Sequence, residues 1–432
     1  MLTLPPPFQN PPHACVVVLA ALFLAQASNT RAAEEGGAEY EQWSKRLAAA
    51  ARSPDAAEEV LCVTTIARRW SWALSSLPRR MIEQAVSDSE HARLGDPRSE
   101  MLQLLYDQRW KDRNGQEPSR WWRQLSLSLL EHGKPNQAFE VAAHITDPLT
   151  LVALQADNRY QRIARSEFVE RNVQKAAEKE LTWWQAASQL APRSLARVVG
   201  MARALIELHR YDEVLSLTNL AMQRKEAAGP GTVPYDDWQQ EFPWLLNVRA
   251  RALRALERND EAVRLLRQAC EDSKQDMVSH CLNLASVLAG LDRPQEALAV
   301  MPALDTASSY GHAIASLIRT MAASEANDPE TVTATLEDLR TYTAASPSVL
   351  QRGLLVAGKQ DEATALLVSR LTDPDLRTDA LVELQDYLEA PAPARVRRWR
   401  QQLRDLRTRS EVSKLIAAYG NIGRYPLPGP TF

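Results

Sequence analysis

A short signature recurs along the second half of this chain at nearly constant spacing. It consists of an acid, a small residue and an apolar stretch, and it occurs at Glu261-Ala262, Glu296-Ala297, Glu330-Thr331 and Glu362-Ala363. The small residues are separated by 35, 34 and 32 positions. A fixed period of about 20–50 residues is typical of stacked repeats, in which each unit buries its apolar face against its neighbours. The spacing therefore predicts a repeat array rather than a globule around one core.

Each repeat reads as a pair of helices. In the clearest unit, a first helix has an apolar face with the i, i+3, i+4, i+7 spacing, and its members are Cys281, Leu284, Ala285 and Leu288. The turn Asp292-Arg293-Pro294 predicts the end of that helix, with Asp292 as the N-cap of the next one. The second helix places Ala297, Met301 and Leu304 on its inner face. Small residues at the crossing predict close packing of the two helices.

This order of apolar and small residues resembles the tetratricopeptide repeat (TPR). Another unit matches at Leu246, Ala250, Leu253, Ala262, Leu266 and Ala269, and Trp122 stands where the family prefers Trp. The resemblance implies an all-α fold, a right-handed α-solenoid of stacked helical hairpins, with about seven units over residues 119–377. It also implies an open superhelix without a central core, whose first helices line a concave groove.

Three segments lie before or after the predicted repeat array. Residues 1–32 are predicted to be a secretory signal, because the apolar run Cys15–Ala25 is too short to span a bilayer and small-residue cleavage sites follow it. The protein is then exported, periplasmic or secreted, with an uncleaved signal acting as an anchor as the alternative. Residues 33–118 form a helical region of degenerate repeats or a cap. Residues 378–432 are predicted to hold a basic capping helix, read as a single helix over Ala394–Ile416, and a Pro-rich tail.

Several arginines are candidates for ligand binding in the groove. In the family, the residue after the small position of the first helix points into the groove, and here it is Arg203, Arg251 and Arg352. Asn247 and Arg254 share the face of Arg251. Guanidinium groups suit carboxylates, so the groove is expected to prefer acidic or C-terminal peptides. Arginines that merely keep a helix face soluble are the other interpretation.

An insertion near residues 226–243 interrupts the period. The segment from Gly229 to Tyr235 is rich in helix-breaking Gly and Pro and predicts a loop. Aromatic residues lie in or next to this insertion: Tyr235, Trp238, Phe242 and Trp244. Loops added to repeats often shape a binding site. The alternative is that these aromatic side chains fill an irregular joint between units.

Two further features have a binding and a structural interpretation. The last helix is rich in arginine, including Arg397, Arg398, Arg400 and Arg404, and could contact anionic lipid or serve as the polar outer cap of the array. Cys270 and Cys281 lie at neighbouring helix ends, so a disulfide is a hypothesis that an oxidising compartment would permit.

Catalytic motifs are absent from the sequence: it has no P-loop, no G-x-G-x-x-G, no H-E-x-x-H and no G-x-S-x-G. The net charge of −3 predicts no binding to nucleic acid. We therefore expect a non-catalytic scaffold or adaptor in a bacterial-type cell envelope, without cofactor or metal, that binds a protein or peptide. An envelope assembly factor binding a cell-wall, lipid or outer-membrane component and an enzyme with an unrecognised site remain alternatives.

Overall fold

A computed structural model describes residues 39–52, 55–70, 72, 74, 77–229, 233–273, 277–305, 307–343 and 346–430. The predicted signal over residues 1–32 lies outside them. The described chain is all-α, apart from two strands of two residues each and one isolated bridge. It forms two compact units, Met1–Trp110 and Lys111–Phe432.

The first unit contains four helices in its described part. They are α1 (residues 39–50), α2 (Ala56–Arg69), α3 (Arg79–His91) and α4 (Gly95–Asp107). The Asp55 side chain accepts a hydrogen bond from the Glu58 amide and so caps the start of α2. Helix α2 packs against both α3 and α4, and it buries Val63 and Ile66 completely.

The second unit is a succession of helices. They are α5 (Ser119–Glu131), α6 (Pro135–Ala142), α7 (Pro148–Ala156), α8 (Gln161–Ala164), α9 (Val173–Leu190), α10 (Leu195–Glu207), α11 (Tyr211–Ala227), α12 (Trp238–Ala255), α13 (Asn259–Asp272), α14 (Met277–Gly290), α15 (Pro294–Ala299), α16 (Ser309–Glu325), α17 (Pro329–Thr341), α18 (Pro347–Val356), α19 (Gln360–Thr372), α20 (Pro374–Glu383), α21 (Ala394–Thr408) and α22 (Ser410–Tyr419). A 3₁₀ turn covers Asn158–Tyr160, and strands β1 (Asp386–Tyr387) and β2 (Arg424–Tyr425) pair in parallel.

The recurring signature marks the first turn of the second helix in a hairpin. Ala262, Ala297 and Ala363 are fully buried there, because only a small side chain fits between two closely packed helices. The turns before these helices contain a residue with left-handed backbone: φ is 57° at His209, 60° at Glu257, 58° at Asp292 and 52° at Asn327. Asp292 therefore lies in the turn after α14, and Arg293 is the N-cap of α15. The prediction that Asp292 is that N-cap was wrong, because the chain needs one more residue to reverse direction.

Consecutive helices pack against one another, which confirms the all-α fold of stacked helical pairs. The contacts run in order from α7 through α9, α10, α12, α13, α14, α16, α18 and α19 to α20. Helix α20 then packs against α7, so this unit closes on itself as a ring of helices. The expectation of an open superhelix was wrong.

The closure rests on residues far apart in the chain. The Thr378 hydroxyl donates to the buried Asp157 carboxylate at 2.7 Å, and the Asn421 amide donates to the Ala156 carbonyl at 2.9 Å. Gly420 permits this approach, because a Cβ there would lie 2.4 Å from the Ala156 oxygen. A local periodic pattern in the sequence does not predict contacts between residues that are more than 200 positions apart.

Two segment boundaries also differ from the predictions. Helix α12 begins at Trp238, so Phe242 and Trp244 are helical, and only the described residues between α11 and α12, 228–229 and 233–237, lie outside helices. The expected single terminal helix is two helices, because Arg409 adopts an extended backbone (φ −65°, ψ 139°) between α21 and α22. Among the described helices, none combines the length and apolarity that a membrane span requires.

Candidate binding site in the ring of helices

A cavity of about 910 Å³ lies inside the ring. Its walls come mainly from α10, α12, α14, α16 and α18, together with α21, the segment 383–393 and the tail residues 428–430; α11 and α13 contribute Tyr211 and Leu266. We call it the central cavity. Its volume is in the range of pockets that enclose a small molecule or a short peptide segment, about 300–1,000 Å³.

All five residues predicted for the groove line the central cavity: Arg203, Asn247, Arg251, Arg254 and Arg352. They meet because they occupy the inner faces of α10, α12 and α18, which the stacked hairpins turn towards the middle of the ring. The C-terminal segment adds Arg400, Arg404 and Arg407, which the sequence did not place here. Their spacing of four and three residues puts them on one face of α21, but nothing local indicates what that face contacts.

Four of these arginines have no carboxylate within ion-pair distance, although the charge of Glu241 acts on Arg203 and that of Glu207 on Arg251. Arg203, Arg251, Arg254 and Arg352 make no ion pair or hydrogen bond with any residue that the structure describes. The Nε atoms of Arg254 and Arg352 are buried without an acceptor. A buried charged group without a partner is unfavourable, so these side chains are arranged for something other than the stability of the fold.

The pKa shifts show that the positive charges converge. Burial lowers the pKa of Arg254 to about 10, and the neighbouring guanidinium groups of Arg251 and Arg400 add to this effect. Burial also lowers the pKa of Arg352 to about 10; Tyr310 opposes the shift, whereas Arg254 and Arg400 reinforce it. Arginine nevertheless stays protonated at neutral pH, so the cavity carries a concentrated positive charge.

The carboxylates of the cavity wall are already paired. Glu389 accepts from Arg404 at 3.0 Å and from Arg400 at 3.3 Å. Asp386 accepts from Arg407 at 2.9 Å. Glu383 forms a two-pronged pair with the buried Arg370, which lies outside the cavity lining. None of these acids therefore neutralises the arginines of α10, α12 and α18.

Aromatic rings orient two of the unpaired arginines. The Arg352 guanidinium lies 4.8 Å from the ring centre of Trp399, and that of Arg203 lies 5.8 Å from Trp244. Such cation–π contacts hold the guanidinium plane while leaving its N–H edge available. Tyr310, which is about half exposed, completes the aromatic part of the wall.

Asn247 is less available than the arginines. Its amide nitrogen donates to the Pro243 carbonyl at 2.7 Å and lies 2.6 Å from Nδ1 of His280. Its oxygen accepts from Asn283 at 3.0 Å. These contacts join α12 to α14, so the Asn247 side chain supports the wall of the cavity.

The aromatic residues of the insertion pack mainly into the protein. Tyr235 is 2% exposed, and Trp238 stacks between Tyr235 and Phe242 with ring-centre distances of 6.0 and 4.5 Å. Only Trp244 lines the central cavity. The insertion also caps α10, because the Asp237 carboxylate accepts the Leu195 amide at 2.6 Å. This packing supports the interpretation that the aromatics fill the joint between units.

The basic end is divided between two environments. Arg400 and Arg404 line the central cavity, whereas Arg397 and Arg398 are exposed and do not line it. Helix α21 packs against α18 and α22 against α19. The segment therefore covers part of the cavity as well as following the last hairpin.

The two candidate cysteines are joined. Cys270 at the end of α13 and Cys281 in α14 form a disulfide with a Cα–Cα distance of 4.7 Å. Cys62 is a free, buried cysteine of the first unit. No group of three or more His, Cys, Asp or Glu side chains in the described part of the chain could hold a metal ion.

A smaller pocket near α5 and α7 contains acidic residues. Its volume is about 410 Å³, and Asp147, Glu180 and Asp379 line it. Burial raises the pKa of Glu180, and Asp147 adds to the shift. Asp147 also caps α7 by accepting the Thr150 amide at 2.6 Å, so part of this acidity has a structural role.

Comparison with known proteins adds no functional assignment. No protein-family model matches the chain, and no curated protein matches it. The chemistry of the central cavity is therefore the main basis for a functional proposal.

Proposed function

We propose that this protein is a non-catalytic scaffold that binds an acidic segment of a partner protein in its central cavity. The observation that carries the proposal is the set of four unpaired arginines on the inner helices. Desolvated cations in one cavity favour a ligand that brings negative charge. Guanidinium groups recognise carboxylates with two parallel hydrogen bonds, and the fixed planes of Arg203 and Arg352 reduce the entropy lost on binding.

We also propose a repeat type for the stacked helices and a cellular location for the protein. We take the stacked hairpins to be TPR-like and right-handed, and the protein to be exported to a bacterial-type cell envelope. The apolar run and cleavage sites in residues 1–32 support export. The bond between Cys270 and Cys281 supports it as well, since disulfides persist in oxidising compartments.

The first experiment measures capture of the partner. Tagged mature chain is incubated with envelope extract, and the retained proteins are compared for wild type and the R203E/R251E variant. The expected result is a proteinaceous partner retained by the wild type and lost from the variant, because two cations of the cavity become anions. The R398E variant is the matched control, because Arg398 is exposed and outside the cavity; it should retain the partner.

A direct measurement complements the capture. A fluorescent peptide with several Asp and Glu residues should bind the wild type with an affinity that falls as salt rises, whereas a peptide of Asn and Gln in their place should not bind. Thermal unfolding of each variant checks that it is folded. Equal binding of both peptides, or unchanged capture by folded R203E/R251E, would contradict the proposal.

A second candidate function rests on the exposed arginines of α21. Arg397 and Arg398 present positive charge outside the cavity and could bind an anionic membrane surface or another anionic envelope component. Flotation with anionic liposomes at physiological salt should then depend on these two residues. Absence of flotation, or equal flotation of R397E/R398E, would exclude this lipid function.

A further inference from the structure

We infer that the central cavity contains a subsite for a phosphate monoester, formed by Arg254, Arg352 and Arg400. The inference rests on the proposed function and specifies the charged group that the cavity receives. These residues come from α12, α18 and α21, and all three line the central cavity. It thus joins two arginines of the inner helices to one from the covering segment.

The combined charge of the three arginines favours a phosphate monoester over a carboxylate. The three guanidinium groups act on one another, since each of Arg254 and Arg352 feels the charge of Arg400, and Arg352 also feels Arg254. Arg400 already has Glu389 as a partner at 3.3 Å, and a single carboxylate would leave one of the other two charges uncompensated. A phosphate monoester carries a charge of about −1.5 to −2 at neutral pH, which matches this concentration of positive charge better.

The three guanidinium groups also require several hydrogen-bond acceptors from a ligand. The buried Nε atoms of Arg254 and Arg352 have no hydrogen-bond acceptor in the protein. Arg400 has one contact of 3.3 Å to Glu389, which is also bound more closely by Arg404. A phosphate monoester offers three terminal oxygens, so each guanidinium group can donate to an oxygen of its own.

The Arg352 side chain is held in place before a ligand binds. Arg352 is held against Trp399 at 4.8 Å, so its N–H edge is already oriented and little side-chain entropy is lost on binding. The cavity of about 910 Å³ is far larger than a phosphate group. It therefore has space for the molecule that carries the phosphate, with Tyr310 and Trp399 as apolar walls.

The test uses the mature chain, with inorganic phosphate, sulfate and acetate as probes at equal ionic strength. Binding is measured by calorimetry at pH 7.5 and 5.5. We expect phosphate to bind at pH 7.5 and more weakly at pH 5.5, because it becomes a monoanion. Sulfate remains a dianion and should bind similarly at both pH values, whereas acetate should not bind measurably.

Three variants localise the subsite. R254Q, R352Q and R400Q should each weaken phosphate binding about 10- to 100-fold, the effect of one hydrogen bond between charged groups. R398Q is the control and should bind like the wild type. Because R352Q removes a desolvated charge, its thermal midpoint without phosphate should equal or exceed that of the wild type, while the increase caused by phosphate is lost. R400Q changes a side chain that is 28% exposed, and it tests the subsite if R254Q or R352Q does not fold.

The outcomes separate this inference from the proposed function. Phosphate binding that persists in the folded variants, an equal response to acetate, or binding of sulfate without phosphate would overturn the subsite. If the acidic peptide still required Arg203 and Arg251 in that case, the proposed function would stand without it. If neither phosphate nor the acidic peptide bound, both would be rejected.

Discussion

Replacement of Asp157 by Asn should loosen the closure of the ring. The Asp157 carboxylate is 1% exposed and accepts from Thr378 Oγ1 at 2.7 Å and from Arg159 Nη2 at 2.8 Å. Asn keeps the size of the side chain but removes the charge, and its NH₂ group would face these donors. Loss of one partner of a buried ion pair costs about 3–5 kcal/mol. We expect about 3 kcal/mol, because the Arg159 side chain is 22% exposed and water can partly replace the carboxylate.

The measurement is hydrogen exchange of the amides in α7 and α20, followed by mass spectrometry. A loss of about 3 kcal/mol would accelerate exchange through local opening about 100-fold. D379N is the matched control, because Asp379 lies next to Thr378 but its side chain is 51% exposed, so water screens its ion pairs with Arg120 at 3.3 Å and with the buried Arg123 at 3.7 Å. Its effect should stay below about 1 kcal/mol.

The pH dependence of this contact has a definite sign. Burial raises the pKa of Asp157, but the hydrogen bonds and charge of Arg159 and the Thr378 hydroxyl outweigh burial, so the pKa is lowered overall. A carboxyl group with a lowered folded-state pKa stabilises the fold above its unfolded pKa of about 3.9 and loses this effect as the pH falls through the folded value. Protection of α20 in the wild type should therefore decline below about pH 4, whereas D157N should be less sensitive. Equal exchange in D157N and D379N would refute the reasoning.

Three further predictions concern single contacts in the second unit. The G200A variant should unfold at a lower urea concentration than the wild type, although Ala has the better helix propensity. The added Cβ would lie 2.4 Å from the Trp184 ring, and such overpacking costs about 1–3 kcal/mol. A raised urea midpoint would contradict this prediction. Reduction of the disulfide between Cys270 and Cys281, 11 residues apart, should cost up to about 3 kcal/mol, so dithiothreitol should lower the melting temperature of the wild type but not of C270S/C281S. Burial, together with nearby carboxylates, raises the pKa of Glu207 above its usual 4.5. The folded state therefore loses stability as the pH rises above 4.5. The E207Q variant should have a higher melting temperature than the wild type at pH 8.5 but not at pH 5. An equal difference in melting temperature at both pH values would show that this carboxyl group does not titrate as inferred.

The sequence alone determined the helical pairs and the composition of their faces. Ala262, Ala297 and Ala363 are buried at helix crossings because the local pattern of small and apolar residues requires close packing there. The resemblance to the tetratricopeptide repeat implied that Arg203 and Arg251 share one type of helix face, and the structure finds them in one cavity. Each of these inferences depends on residues within one or two turns of a helix, where the spacing of side chains is set by the backbone.

Only the tertiary structure decided that the array closes and that its C-terminal segment lines the cavity. Asp157 meets Thr378 across 221 positions of sequence, and Arg400 lines the same cavity as Arg254 although they are 146 positions apart in the chain. Such contacts depend on the sum of small rotations between successive hairpins. No single residue encodes that sum, so the environment of α21 could not be read from its own arginines.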